Sequence, residues 1–179
     1  NLKTWFDKSK SAISVALPKH LTPERMIRIG ITAAQRTPKL LECDPITIVK
    51  SVIEASELGL EPSSALGLAY LVPRWNKKTG KTECTLQIGY RGMIQLASNS
   101  GRLRSIYAEV VYEEDAFDWE QGLEPKLIHR PNYRCADRGK AIAVYAVAIL
   151  DGDTKVSRVM TITEIEAHRQ RGEAKNFGP

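Results

Sequence analysis

Cysteine is scarce in this sequence: Cys43, Cys84 and Cys135 are three in 179 residues, far apart and without a CxxC pair. That usage argues against a disulfide scaffold and fits a reducing cytoplasm. Histidine is equally sparse, and no two of His20, His129 and His168 have the spacing of a zinc site. Apolar runs are short as well. The longest, Ala141 to Leu150, has ten residues, whereas a helix that spans a bilayer needs roughly twenty. It reads as a buried strand, and no membrane partner is expected. Internal repeats and low-complexity stretches are missing, and 42% apolar content with mixed charges describes a globular chain. The simplest arrangement is one domain over residues 1–179. The chain begins at Asn1 without methionine and stops on Gly178 and Pro179, so further residues are expected at both ends, which leaves a removed signal open.

Catalytic signatures are also wanting. Gly80, Lys81 and Thr82 look like the end of a phosphate-binding P-loop, but the glycine required five residues earlier is Trp75. The context is strand, turn, strand, where a P-loop runs from strand into helix. ATP hydrolysis thus loses its candidate. No GxSxG elbow occurs, and no serine or cysteine pairs with a histidine at recognisable spacing. The acids Glu113, Glu114, Asp115, Asp118 and Glu120 are a candidate magnesium site for a nuclease, with Glu173 and Lys175 adding an E-x-K. The plainer reading of that cluster is a solvated turn.

What the chain does have is segregated charge. Its excess is +5, with a pI near 9.1. Between Tyr70 and Ser105 stand seven bases (Arg74, Lys77, Lys78, Lys81, Arg91, Arg102 and Arg104) against the single acid Glu83. Ile106 to Pro125 then holds seven acids and no base, and Lys126 to Lys140 returns to a net of +4. Such blocks point to a polyanion partner and to self-association through the acidic stretch.

The periodicity predicts helices first and strands after. Leu2, Phe6, Ile13 and Leu17 share one helical face that Pro18 closes. Thr22 with Pro23, and Asp44 with Pro45, are N-cap and first-turn pairs; the helices they open stop at Pro38 and Gly59. From Leu66 the period becomes two, giving a hairpin with the basic turn Asn76 to Gly80. A short helix follows from Tyr90 to Gly101, then a strand through Ile106 to Tyr112 and shorter extended pieces near Phe117 to Trp119 and Lys126 to His129. Ala141 to Leu150 and Lys155 to Thr161 flank a DGDT turn as a second hairpin, and Thr163 with Glu166 predicts a capping box for a last helix. The fold class is α+β, mainly antiparallel sheet, with a basic β-hairpin packed with helices.

Taken as a surface, the basic stretch has what a nucleic-acid site needs. Cations and helix-start N–H groups meet phosphates, and exposed bases stack on aromatic rings. Arg74, Trp75, Lys77, Lys78 and Lys81 lie at the hairpin tip, and Tyr90 and Arg91 open the next helix. Gly89 and Gly92 permit close backbone approach. Each has a plainer alternative: Tyr90 in the core, Trp75 packed under the hairpin, Lys77 and Lys78 as solubilising turn residues, and the glycines for turn geometry alone.

Longer segments carry more information. ALPKHLTPERM (16 to 26), TPKLLECDP (37 to 45), ELGLEP (57 to 62), LGLAYLVP (66 to 73), LQIGYRGMIQLA (86 to 97), SIYAEVVYEED (105 to 115) and GLEPKLIHRP (122 to 131) resemble, in order, the RecT family of phage-type single-strand annealing proteins. The resemblance runs from about residue 2 to residue 171. It implies an ATP-independent recombinase that coats single-stranded DNA, anneals it to a complement through a duplex intermediate, and assembles as a ring or helical filament in a bacterial host cell. It also implies a core similar to those of lambda Red beta and the eukaryotic annealing proteins. No cofactor is required; magnesium serves at most as a counterion. A cooperating exonuclease and host single-strand-binding protein are the implied partners. Tyr90, Arg91 and Gly92 match the family's Y-[KR]-G segment, and Lys126 and Arg130 lie in its PKLIH segment. Arg102, Arg104 and Lys140 join the DNA-contact candidates by charge. The family usually continues past residue 179 with a tryptophan-containing segment and a basic helix. A magnesium-dependent nuclease and a passive strand-coating protein are the two rival readings.

Overall fold

The structure, a computed structural model, describes residues 2–19, 21–62 and 65–171. His20 and the Glu173 and Lys175 pair lie outside the described residues. Contacts divide the chain into two compact units, Asn1–Ser100 and Gly101–Pro179. No described helix is long and apolar enough to cross a membrane.

The first unit holds α1 (Leu2–Ala16), α2 (Pro23–Arg36), a 3-10 turn (Pro38–Glu42), α3 (Pro45–Glu57), β1 (Ala69–Asn76), β2 (Lys81–Ile88) and α4 (Tyr90–Asn99). The predicted caps are in place: the Thr22 hydroxyl accepts from Arg25 N at 3.4 Å, and the Asp44 carboxylate accepts from Ile46 N at 3.2 Å. Gly59 ends the α3 turn at φ +65°, a conformation that glycine adopts without strain. Phe6, Ile13, Met26, Ala34, Ile48, Val49 and Val52 bury one face of each of the three helices, and Leu71 and Cys84 bring the hairpin onto them. Gly30 allows the close approach of α1 and α2, since a Cβ there would stand 2.8 Å from the Phe6 ring.

A two-stranded hairpin is marginal by itself. Here the outer edge of β2 is closed by α3: Cys84 N donates to the Thr47 hydroxyl at 2.9 Å, the Ser51 hydroxyl donates to Cys84 O at 3.1 Å, and Asp44 N donates to Thr82 O at 3.2 Å. Cys84 pairs across the hairpin with Pro73. Because Cys84 turns its backbone groups outward, its partner does too, so the N–H that proline lacks is not missed between the strands. Burial pushes the Cys84 thiol up to about 11, and Cys43 is shifted up for the same reason. Both are packing residues.

The second unit is built on an antiparallel sheet of order β3 (Leu103–Tyr112), β6 (Ala141–Leu150), β7 (Lys155–Thr161), with a separate hairpin of β4 (Ala116–Glu120) and β5 (Lys126–Arg130). Val111, Ala143, Tyr145, Val147 and Val159 form its core, and Phe117 and Leu127 of the β4–β5 hairpin pack on them. The ten-residue apolar run is thus the central strand. Its other face, with Ile106, Val110 and Val156 of the neighbouring strands, is partly exposed. The last helix, α5 (Ile162–Arg171), is capped two residues earlier than the sequence suggests: Thr161 N donates to Glu164 and Glu164 N donates back to the Thr161 hydroxyl. Both pairs match the capping pattern. The end of β7 at Thr161 decides between them, leaving Glu166 to pair with Arg169 at 3.0 Å. The α+β, antiparallel class is therefore as expected.

Thr47→Val keeps the shape but strands the buried Cys84 N–H, and should lower unfolding free energy by about 1–3 kcal/mol. Ser51→Ala, which removes only one donor to a carbonyl, should cost less. Urea denaturation of the two variants checks the order.

Candidate nucleic-acid interface

The hairpin presents two chemically different faces. Ala69, Leu71, Cys84 and Leu86 face the helices. Alternation puts Tyr70, Arg74, Lys81 and Gln87 on the opposite face, all exposed, and the Arg74 guanidinium donates to Gln87 at 3.2 Å. Lys77, Lys78, Thr79 and Gly80 make the turn, also exposed. Trp75 belongs to the helix-side face, but lies so near the tip that it is 64% exposed. It is not packed under the hairpin.

Glu83, the one acid in this stretch, is occupied in shaping the turn. Its carboxylate accepts from the Asn76 amide at 2.9 Å and from the Thr79 hydroxyl at 2.7 Å. These two bonds, Asn76 first, hold its pKa below the usual carboxylate value. Asn76 also accepts from Lys78 N at 2.9 Å, fixing the start of the turn. The polar pairing leaves no carboxylate bridged to Lys77, Lys78 or Lys81 among the described residues.

At the foot of the same hairpin, α4 begins at Tyr90 with Gly89 as N-cap, and no side chain caps its first N–H groups. Tyr90 is 67% exposed, which removes it from the core. Arg91 Nε donates to the Tyr90 hydroxyl at 3.1 Å and its guanidinium lies 5.8 Å from that ring. Gly92 is corrected: it is buried, and a Cβ there would meet the Leu68 carbonyl oxygen at 2.1 Å. Its bareness seats α4 against the backbone before β1, as Gly89 does against the Gly67 carbonyl, at 2.3 Å for an added Cβ. It is not a surface for a strand to approach.

The remaining candidates belong to the second unit. Arg102 is exposed before β3, and Arg104 is paired with Asp153. Lys126 and Arg130 are exposed on the outer face of β5, but Lys126 stands directly opposite Glu120, with Asp118 between them on β4, so this face has mixed charge. Lys140 is exposed, its N–H donating to Glu113 at 3.1 Å.

The acid run is not one solvated face. Glu113 is used by Lys140 N, and the Asp115 side chain is wholly buried. Asp115 accepts from Tyr112 N at 3.0 Å, from Asn132 N at 2.9 Å, from His129 Nε2 at 3.1 Å, and lies 3.4 Å from Arg138 Nε. Burial alone would push this carboxyl up; the donors outweigh it and hold it at about 2. Among the described residues no three acids, cysteines or histidines gather as a metal-holding group. Glu114, Asp118, Glu120 and Glu124 remain exposed.

Sequence reasoning missed Tyr70, whose signal was its place in the alternation. It also missed Arg28 and Arg36, which with Arg25 and Tyr70 line a recess of about 570 Å³ between α2 and the start of β1. Their signal was the spacing 25, 28 and 36, which places three arginines along one side of a helix. Arg25 is already bound to Glu61.

A model of the RecT family matches residues 24–179. The chain belongs to the RecT family. It is 49% identical to Protein RecT of Escherichia coli K12 over 95% of its length, and 26% identical to the uncharacterized protein YqaK of Bacillus subtilis 168 over 78%. It spans 63% and 46% of the length of those two relatives. The RecT match takes in the hairpin, α4 and every basic residue of the second unit considered above, while α1 precedes it.

Asp115 generates a pH dependence with a definite sign. Its folded pKa is lowered from 3.8, so the stability it confers is complete above about pH 4 and is lost as pH falls towards 2. Circular dichroism melts at pH 5 and pH 2.5 should show that loss, and Asp115→Asn should be weaker at pH 5 and change less between the two.

Proposed function

We propose that this chain binds single-stranded DNA without ATP and anneals complementary strands during recombination, with no catalytic site. What carries the reading is the concentration of exposed Lys77, Lys78, Lys81, Arg74, Trp75, Tyr90 and Arg91 around a hairpin whose only acid is tied into its turn, in a member of the RecT family. Cations and the α4 terminus hold sugar-phosphate, and the rings offer stacking platforms. A strand held by its backbone keeps its base edges free for a complement. Neutralised phosphates let two polyanions lie side by side, and base pairing supplies the free energy. No cofactor takes part, and magnesium acts only as a counterion. Arg102, Arg104, Lys126, Arg130 and Lys140 are further strand contacts within the second unit, Arg104 being already paired with Asp153 and Lys126 standing opposite Glu120.

The working form is an oligomer, ring or filament, in which the exposed acids Glu114, Asp118 and Glu120 of one subunit meet basic surface on the next. A cooperating exonuclease and host single-strand-binding protein are its protein partners in this reading. The setting is the bacterial cytoplasm.

Complementary oligonucleotides mixed with the protein, without ATP, and run on a gel should pair faster and keep their full length. Shortened strands that EDTA protects would identify a nuclease, and tight binding without faster pairing a coating protein. Log affinity should fall with log salt by about 0.7 for each phosphate neutralised. The double variant Lys77→Glu, Lys78→Glu should bind more weakly with a shallower slope; an unchanged slope would count against the hairpin. Reversing Glu114, Asp118 and Glu120 to lysine should dissolve large assemblies in light scattering, while leaving the internal bonds of Glu113 and Asp115 intact.

A further inference from the structure

The second unit carries a recess of about 410 Å³ that the reading above does not use, lined by Tyr112, Tyr133, Cys135, Asp137, Arg138 and Gly139. Its volume falls within the roughly 300–1,000 Å³ of small-ligand sites. One wall is a layered stack. The Arg138 guanidinium lies 4.2 Å from the Tyr112 ring centroid and 5.6 Å from that of Tyr133. The Arg138 side chain is 20% exposed, whereas Tyr133 is 83% exposed. The assembly therefore runs from a half-buried ring, through a fixed cation, to a ring open to solvent.

The fixing is what separates this place from an ordinary surface tyrosine. Arg138 Nε is 3.4 Å from the buried Asp115 carboxylate, which also accepts from Asn132 N at 2.9 Å. One carboxylate thus anchors both the arginine and the residue before Tyr133. Glu114 N donates to Arg138 O at 3.1 Å, Tyr133 N donates to Pro131 O at 3.1 Å, and Gly139 N donates to the Asp137 carboxylate at 2.9 Å. The rim is held before any ligand arrives, and preorganised planar groups lose little freedom on binding. Arg134 and Lys140 are exposed on the segments flanking the recess.

We propose that this recess takes one unpaired nucleobase of the bound strand, stacked on Tyr133 beside the Arg138 guanidinium, with Arg134 and Lys140 meeting its flanking phosphates. The inference rests on the strand-binding reading and deepens it: every base presents a flat π face, so such a site holds any sequence. A π ring beside a guanidinium also gains from the cation.

The test uses a single-stranded oligonucleotide carrying 2-aminopurine, with fluorescence and anisotropy read on the same samples. The wild-type chain should quench the 2-aminopurine. Tyr133→Phe should quench as well, while Tyr133→Ala should lose the quenching and bind about 5- to 150-fold more weakly. Tyr133 is exposed, so the fold should survive, which circular dichroism checks. Unchanged quenching and affinity in Tyr133→Ala would overturn the site, as would quenching that disappears only with Trp75→Ala. A free 2-aminopurine nucleotide bound as tightly as the oligonucleotide would replace a strand site by a nucleotide site. Flat anisotropy for the wild type would instead remove the strand-binding function itself, and the two failures are thereby distinct.

Discussion

The seam between α3 and β2 is the constraint on which the first unit depends. Three bonds along one strand edge, from Asp44 N, the Thr47 hydroxyl and the Ser51 hydroxyl, let a helix stand where a third strand would otherwise be needed. Residues 47 and 51 are one helical turn apart, so both reach the two backbone groups of the single residue Cys84. With its inner face packed on the helices and its edge closed, the two-stranded ribbon can end in a turn full of like charge. Lysines at 77, 78 and 81 repel one another, and only an anchored ribbon tolerates them at its tip.

The second unit solves a related problem with one carboxylate. Asp115 gathers Tyr112 N, Asn132 N, His129 and Arg138, joining the end of β3, the end of β5 and the loop that leads into β6. His129 passes the connection to the Tyr145 hydroxyl at 3.2 Å, inside the sheet core where Phe117 stacks on Tyr145. In both units an acid from a charged stretch is withdrawn into the scaffold: Glu83 into the hairpin turn, Asp115 into the loop crossing. Lys77, Lys78 and Lys81 near Glu83 stay exposed, whereas Arg138 is held against Asp115. That is how a modest excess of positive charge becomes a local one.

Much of this was legible along the chain. Cap and proline pairs at Thr22 and Asp44, the change of period at Leu66 and the ten-residue run of β6 located the elements, because each is a local signal. The exposure of Trp75 and Tyr90 was not legible. An aromatic near a hairpin tip or at a helix start reads the same whether its neighbours cover it or stop short of it, and only the packing around it decides. Gly92 was misread for a similar reason: the carbonyl of Leu68 that excludes a side chain belongs to a segment 24 positions earlier. The Thr161 cap was missed because two overlapping pairs fit one pattern, and the end of the preceding strand selects between them.

By itself the sequence determined the kinds and order of elements, the separation of charge into blocks and the family, since these depend on neighbours in the chain and on ordered segments. Only the tertiary structure decided which charges remain outside. Asp115 and Glu114 are adjacent and chemically alike, yet one is enclosed by four donors and the other is exposed. The stack of Tyr112, Arg138 and Tyr133 likewise exists only after the loop has folded back, because ring and cation meet across 26 residues of chain. Burial and convergence are properties of three-dimensional neighbours, and a one-dimensional pattern carries no distance between them.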